Sequence, residues 1–462
     1  SSDLATGSCV PRVSPRLSRA GLLLGLLSLA GLAAGCSSGD ADGPAHSAGR
    51  AGEGAAAGAA GGGSGASGGG GLGGAQGGAA GSAGSVTPWV EPILTVDPSE
   101  VPTEVPTVAL TVSDADRALL DADPYFAPDV QGTFTSETGQ RWDPVEVNYR
   151  GAYTLQSQIQ SGDSHRNWKL KFPKSNQYRG RTEWNLNHEP NIRQELAYDL
   201  LRFAGVRVPS ARHVLLEVNG VPQGLYLQYE DPDSGGWLTD MFGDASGDLY
   251  KAATDLPTDP PTKLFATLEY LGDEDAAYVG HYNKKKNSGG LEIPDYSQLR
   301  SFLSSLNETP DAGFAPWLKG ALDWDKFVSF LVVSNFINNW DSYPQRPKNF
   351  WLYQIPAAGH WVFIPWDVDG TFQPDPWGTL NVTGSSASVF WQMDAWEPYG
   401  GHSEEGTQRP LVRRAMTQPA LRGEYVARYR ELMGSLLTAS YLHARVDALV
   451  GLLDSVATEV ER

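Results

Sequence analysis

Residues 338–370 read NNWDSYPQRPKNFWLYQIPAAGHWVFIPWDVDG, and this stretch decides the fold. Phe350–Ile355 and Trp361–Trp366 are apolar, β-prone runs joined by the five residues Pro356–His360, the pattern of an antiparallel hairpin. Opposed residues in such a hairpin have numbers that add to a constant, and a turn centred near Ala358 sets it near 716. Asn349 then faces Asp367 at about 5 Å, the usual cross-strand spacing, with Asp369 close by. Upstream, Asp325–Asn339 (DKFVSFLVVSNFINN) is apolar nearly all round and predicts a buried helix. Asp341 hangs on the loop that leaves it. One amide and several carboxylates therefore meet at a point, a set of hard oxygen ligands suited to Mg²⁺.

A loop Asp, an Asn, a hairpin and a further Asp follow one another in protein kinases as base, metal ligand and metal ligand. Kinases also need a strand Lys on the phosphates, paired with a helix Glu. Trp168-Lys-Leu-Lys-Phe172 alternates, which sets Lys169 and Lys171 on one strand face. The helix expected over Asn191–Ala204 has an apolar stripe at Ile192, Leu196, Leu200 and Phe203, with Glu195 on its flank and Gly205 closing it. Lys171–Glu195 is the favoured pair. Plainer readings stand beside each residue. Strand lysines are most often solvated, Glu195 has Arg193 and Arg202 as helix neighbours, and Asp367/Asp369 could begin a calcium loop. No full EF-hand loop follows them.

Working outward, Val105–Val112 predicts a strand, Ser113–Asp121 a short helix capped by Ser113, and Val145–Tyr149 a strand ending in Arg150-Gly151. His213–Val218 and Gln223–Tyr229 flank Asn219-Gly220, a strong hairpin signal. Asp255–Tyr296 is polar, with Lys284, Lys285 and Lys286 inside, and reads as a solvated insertion or loop. Leu411–Met416, Tyr425–Leu437 and Leu442–Val456 have helical periodicity. The fold class is α+β: a small mixed N-lobe over 88–235 and a mainly helical C-lobe over 236–462.

These stretches resemble the spore coat protein H (CotH) kinase family of atypical secreted kinase-like proteins. The matching motifs are Tyr149-Arg-Gly151, Trp168–Phe172, Arg193–Ala197, Val218-Asn-Gly220, Gly224–Glu230, Gly247–Lys251, Asn339–Asn349 and, most specifically, Ile364-Pro-Trp-Asp-Val-Asp369. The resemblance implies a two-lobed kinase-like fold and ATP-dependent phosphoryl transfer to protein hydroxyls with Mg²⁺ or Mn²⁺. It also implies Asp341 as the base, Asp367 with Asn349 or Asp369 on the metal, and Trp361 with a hinge tyrosine, Tyr226 or Tyr229, around adenine. Lys169 is the second candidate for phosphate. Two departures stand out: no G-x-G-x-x-G loop occurs after the glycine-rich tract, and Asn349 lies eight residues after Asp341 rather than five. A non-catalytic surface protein for adhesion or coat organisation is the competing reading. No H-E-x-x-H, Walker A or convincing G-x-S-x-G motif supports another enzyme class.

Composition sets the surroundings. The chain has 462 residues, 53 of them Gly, and 18 of these crowd into a Gly/Ala/Ser tract over Gly49–Gly84 that cannot bury enough surface to order itself. All 14 Trp and 18 Tyr fall after residue 87. A net charge of −19 argues against nucleic acid as a partner of the fold. Arg12, Arg16 and Arg19, then an apolar run over Gly21–Gly35, read as an export signal covering 1–35. Ala33-Ala34-Gly35-Cys36 resembles a bacterial lipobox, so Cys36 is the expected lipidation site and the only membrane attachment. Residues 36–87 then form a tether with a reach of roughly 40 Å, holding an exported lipoprotein at the cell envelope. Cys9 lies in the discarded segment, which excludes a disulfide and a zinc–thiolate site.

Overall fold

The computed structural model describes residues 96–189, 191–252, 265–285, 294–356, 358–373, 388–394 and 409–460. The expected export signal, Cys36, the 36–87 tether and Lys286 lie outside the described residues. Among the described residues, no helix is long and apolar enough to cross a membrane.

The first half of the described chain winds into a barrel. Its elements are β1 (Thr107–Val112), α1 (Asp114–Ala122), β2 (Val130–Thr135), β3 (Arg141–Tyr149), α2 (Tyr153–Ser161), β4 (Trp168–Lys171) and β5 (Glu183–His188). They continue with α3 (Arg193–Phe203), β6 (Ala211–Val218) and β7 (Val221–Glu230). The strands close in the order β1-β2-β3-β4-β5-β7-β6, with β6 returning parallel to β1 and every other pair antiparallel. Closure removes the exposed edges of an open sheet. Alternation at period two fills the interior: Val108, Leu110 and Val112 from β1, Trp168 and Leu170 from β4, Trp184 and Leu186 from β5, Val214, Leu216 and Val218 from β6. The small mixed lobe expected from the sequence is thus a closed barrel. β2 and β5 carry Gly and Asn at positions where an apolar alternation would have announced a strand.

The second half is built on α4 (Trp237–Phe242), β8 (Leu249–Ala252), β9 (Tyr282–Lys284), α5 (Ser297–Glu308), α6 (Asp311–Ala321) and α7 (Trp324–Phe336). It ends with β10 (Phe350–Ile355), β11 (His360–Pro365), α8 (Trp391–Asp394), α9 (Pro410–Thr417), α10 (Pro419–Met433) and α11 (Ala439–Val460). A four-stranded antiparallel sheet, β11-β10-β8-β9, packs into one large core with α7 and the C-terminal helices. The expected insertion over Asp255–Tyr296 is in part structured. It supplies β9, where Lys284 is buried and bonded to Asp248 at 2.9 Å, and Lys285 pairs with Asp233 at 3.6 Å.

The two cores meet across β6, β7 and α3. On β7, Tyr226 points into the barrel, while Leu225, Leu227 and Tyr229 belong to the other core. Helix α3 packs against β6 on one side and α7 on the other. Its residues are buried nearly all round, which corrects the one-sided stripe read from sequence. Its polar members are matched: Glu195 meets His213 of β6, and Asp199 meets Arg202 and Arg445 of α11. Burial raises the Asp199 carboxyl against the pull of those two guanidinium groups. Removing one partner of such a buried pair strands a charge, which costs about 3–5 kcal/mol. With Arg202 still on Asp199, Arg445→Met is expected to lower the free energy of unfolding by up to about that amount, read by urea denaturation.

Candidate functional site

Helix α7 runs buried to Phe336, and Asn338 then takes a left-handed conformation (φ 53°) that ends it and turns the chain. Trp340 N–H donates to the Gly370 carbonyl at 3.1 Å, and Phe372 N–H to the Ile337 carbonyl at 2.7 Å. The loop leaving α7 is thereby laid on the loop leaving β11. Gly370 permits the contact: a Cβ there would stand 2.8 Å from the Asp341 Cβ and 3.2 Å from the Trp340 ring.

The hairpin forms as read, but one residue out of the expected register. Phe350 pairs with Pro365 and Ile355 with His360, so Asn349 lies against Trp366, whose N–H it accepts at 3.0 Å, and not against Asp367. The connection is four residues, 356–359, with Gly359 at φ 66° accommodating the tighter turn. Asn349 and Asp367 both sit at positive φ, 58° and 52°. Such conformations cost ordinary residues on the order of 1–3 kcal/mol each and cluster where a site over-determines its backbone.

The side chains still converge. Asn349 Nδ2 donates to the Asp341 carbonyl at 2.8 Å and to its carboxylate Oδ2 at 3.0 Å, which leaves the amide oxygen for a cation. Asp341 Oδ1 takes Lys348 Nζ at 3.0 Å and Arg346 at 3.1 Å. Asp367 N–H donates to the Tyr198 hydroxyl of α3 at 3.2 Å, and buried Val368 fixes the loop between the two aspartates. Asp369 is enclosed: burial, then repulsion from Asp367, Glu189 and Asp341, pushes its carboxyl well above the ordinary range. Lys348 is raised, its burial outweighed by Asp341.

Asp341, Asn349, Asp367 and Asp369 all line one cavity of about 380 Å³. Its wall also carries four residues that the sequence reading missed as site residues: Arg150, Glu189, Arg193 and Lys348. Arg150 leaves β3, donates to Asn187 and the Tyr229 hydroxyl, and feels Asp367 and Asp231. Tyr149-Arg150-Gly151 was visible as a motif, and the arginine in it was the available signal. Arg193 opens the motif Arg193–Ala197 and carried the same kind of signal, whereas Glu189, just ahead of α3, carried none.

Several expected residues lie elsewhere. Lys171 pairs with Asp129, and Glu195 with His213, so the Lys171–Glu195 pair does not form. Lys169 is held by Glu183 and Asp231 on the outer face of the barrel wall. Period two placed both lysines on one face, but Glu183 on β5 and Asp129 just ahead of β2 belong to strands that were not read, and Asp231 follows the end of β7. Tyr226 fills the barrel interior, and Trp361 packs on Tyr250 and Phe302 in the large core. Tyr229 is buried behind the cavity wall, 5.5 Å from the Trp366 ring. Gly370→Ala is expected to force Asp341 away from Asp367 and to cost about 1–3 kcal/mol, measured by chemical denaturation.

A family model described as CotH kinase protein matches residues 147–462. Inner spore coat protein H of Bacillus subtilis (strain 168) is 24% identical over 309 residues, covering 66% of this chain and 75% of that protein. Invasin CotH2 of Rhizopus delemar is 23% identical over 229 residues, 46% of this chain and 36% of that protein. Invasin CotH3 of the same fungus is 24% identical over 229 residues, so this chain spans about a third of either fungal relative.

Proposed function

Because the chain belongs to the CotH kinase protein family, we propose that it is an ATP-dependent phosphotransferase acting on Ser or Thr hydroxyls of a protein substrate. The observation that carries this reading is the convergence of Asp341, Asn349, Asp367 and Asp369 on one cavity whose wall also carries Arg150, Arg193, Arg346 and Lys348. The donor set fits a hard divalent cation. Four carboxylates line the cavity, and burial together with repulsion from Asp367, Glu189 and Asp341 raises the Asp369 carboxyl, a strain that a cation would relieve. Asp367, Asp369 and the Asn349 amide oxygen would hold Mg²⁺ or Mn²⁺, which would neutralise charge on the phosphate oxygens.

The chain's own groups do the rest. Arg150 and Arg193, which line the same cavity, bind phosphate oxygens, and the barrel with α3 acts as the N-lobe of a two-lobed kinase-like arrangement. Asp341 accepts the proton of the acceptor hydroxyl. At rest its carboxylate is held by Arg346, Lys348 and Asn349, so the hydroxyl enters by taking the place of one donor. Lys348 is the one suited to swing from Asp341 to the transferring phosphoryl group. Lys169, Lys171 and Glu195 hold the barrel and α3 in place. The export signal and Cys36, with relatives named for a spore coat and for invasion, support an exported lipoprotein at the cell surface.

The same Asp341 contacts favour a second reading, in which the aspartate is a structural hub and the protein binds partners without catalysis. Transfer of labelled γ-phosphate separates the two. Asp341→Asn should lose about 10²–10⁴-fold of the rate, the usual share of a general base, and Asp367→Ala should lose metal-dependent transfer. Lys171→Met should keep it. Absence of transfer from the wild type, with no rise in melting temperature on adding ATP and Mg²⁺ or Mn²⁺, would sink the kinase reading.

A further inference from the structure

At the rim of the cavity lies a group of side chains that the phosphotransfer chemistry does not use. Helix α2 ends on Gly162 at φ 70°, whose N–H bonds to the Ile159 carbonyl, while Asp163 N–H bonds to that of Gln158. This cap fixes where Asp163 stands. Asp163 Oδ1 then accepts His165 N–H at 2.9 Å and lies 2.6 Å from His165 Nδ1. The imidazole of His188, at the end of β5, stacks on that of His165 with ring centres 4.0 Å apart and planes within 5°. His188 is itself fixed: its N–H donates to Asn167 Oδ1 at 2.8 Å, and its ring rests 5.3 Å from Tyr226.

One ligand atom from each of Asp163, His165 and His188 lies within 4.8 Å of the others. Ligands about 2.0–2.2 Å from a tetrahedral Zn²⁺ stand about 3.3–3.6 Å apart, so the three groups are within reach of one ion once the stacked rings turn out of parallel and aim a nitrogen each at it. No other group of three His, Cys, Asp or Glu among the described residues comes so close. Arg166, the nearest cation in sequence, spends its guanidinium on the carbonyls of Asp163 and His165 and leaves the Asp163 carboxylate to His165.

We propose that Asp163, His165 and His188 bind a divalent transition metal of the zinc class, at a site separate from the carboxylate cluster. Two nitrogens and one oxygen favour Zn²⁺, Co²⁺ or Ni²⁺ over Mg²⁺, and three protein ligands leave a position for water or a ligand oxygen. His188 also lines the cavity and adjoins Glu189, so the metal sits beside the ligand space.

The test is titration of the chelator-treated full chain with Co²⁺, followed by visible d–d absorption and by competition with Zn²⁺. One equivalent should bind and be displaced by Zn²⁺. Affinity should fall at least tenfold in His165→Ala and in His188→Gln, with melting temperatures confirming that both fold, and should persist in Asp367→Asn. No cobalt spectrum, or a spectrum kept by both histidine variants and lost in Asp367→Asn, would overturn the assignment. In the latter case the ion would belong to the carboxylate cluster.

Discussion

Two backbone hydrogen bonds decide where the chemistry is placed: Trp340 N–H to Gly370 and Phe372 N–H to Ile337. They cross-link the chain leaving α7 with the chain leaving β11, so that Asp341 and the Asp367/Asp369 pair face one space. Four residues in this stretch, Asn338, Asn349, Asp367 and Phe372, adopt left-handed backbone conformations without being glycine. That conformation is unfavourable for each, on the order of 1 kcal/mol or more. It persists because Val368, Trp366 and α7 are locked in the core on both sides. A rigid apolar frame holds a strained polar loop.

The frame was legible in the sequence and its furnishings were not. Apolar runs announced β10, β11 and α7 within two or three residues, and Asn219-Gly220 announced the β6–β7 turn. The hairpin register came out one residue wrong because the turn spans four residues instead of five, and a slip of one changes which side chain faces which. The ion-pair assignments failed for a related reason. Alternation tells which face a lysine occupies, but its partner depends on strand order around a barrel whose β2 and β5 have weak patterns. Glu189 was invisible because its importance comes from where β5 ends, and Arg193 was seen only as the first residue of a motif.

Charge is distributed unevenly in a useful way. The chain is strongly acidic as a whole, at −19, yet the cavity sets Arg150, Arg193, Arg346 and Lys348 against Glu189, Asp341, Asp367 and Asp369. Balance at short range makes each ion sensitive to the arrival of another charge. An anion accompanied by a cation can enter such a space with little change in net charge, whereas either alone would unbalance it.

Strand β7 has a consequence of a different kind. Its successive residues belong alternately to the barrel interior and to the large core, so neither core owns it. Inserting or deleting one residue within it would exchange Tyr226 for Leu225 or Leu227 and injure both cores at once. Length variation across relatives should therefore spare this strand and collect in the connections around β8 and β9. The barrel and the helical half are not two modules that could be recombined, but one object hinged on a shared wall.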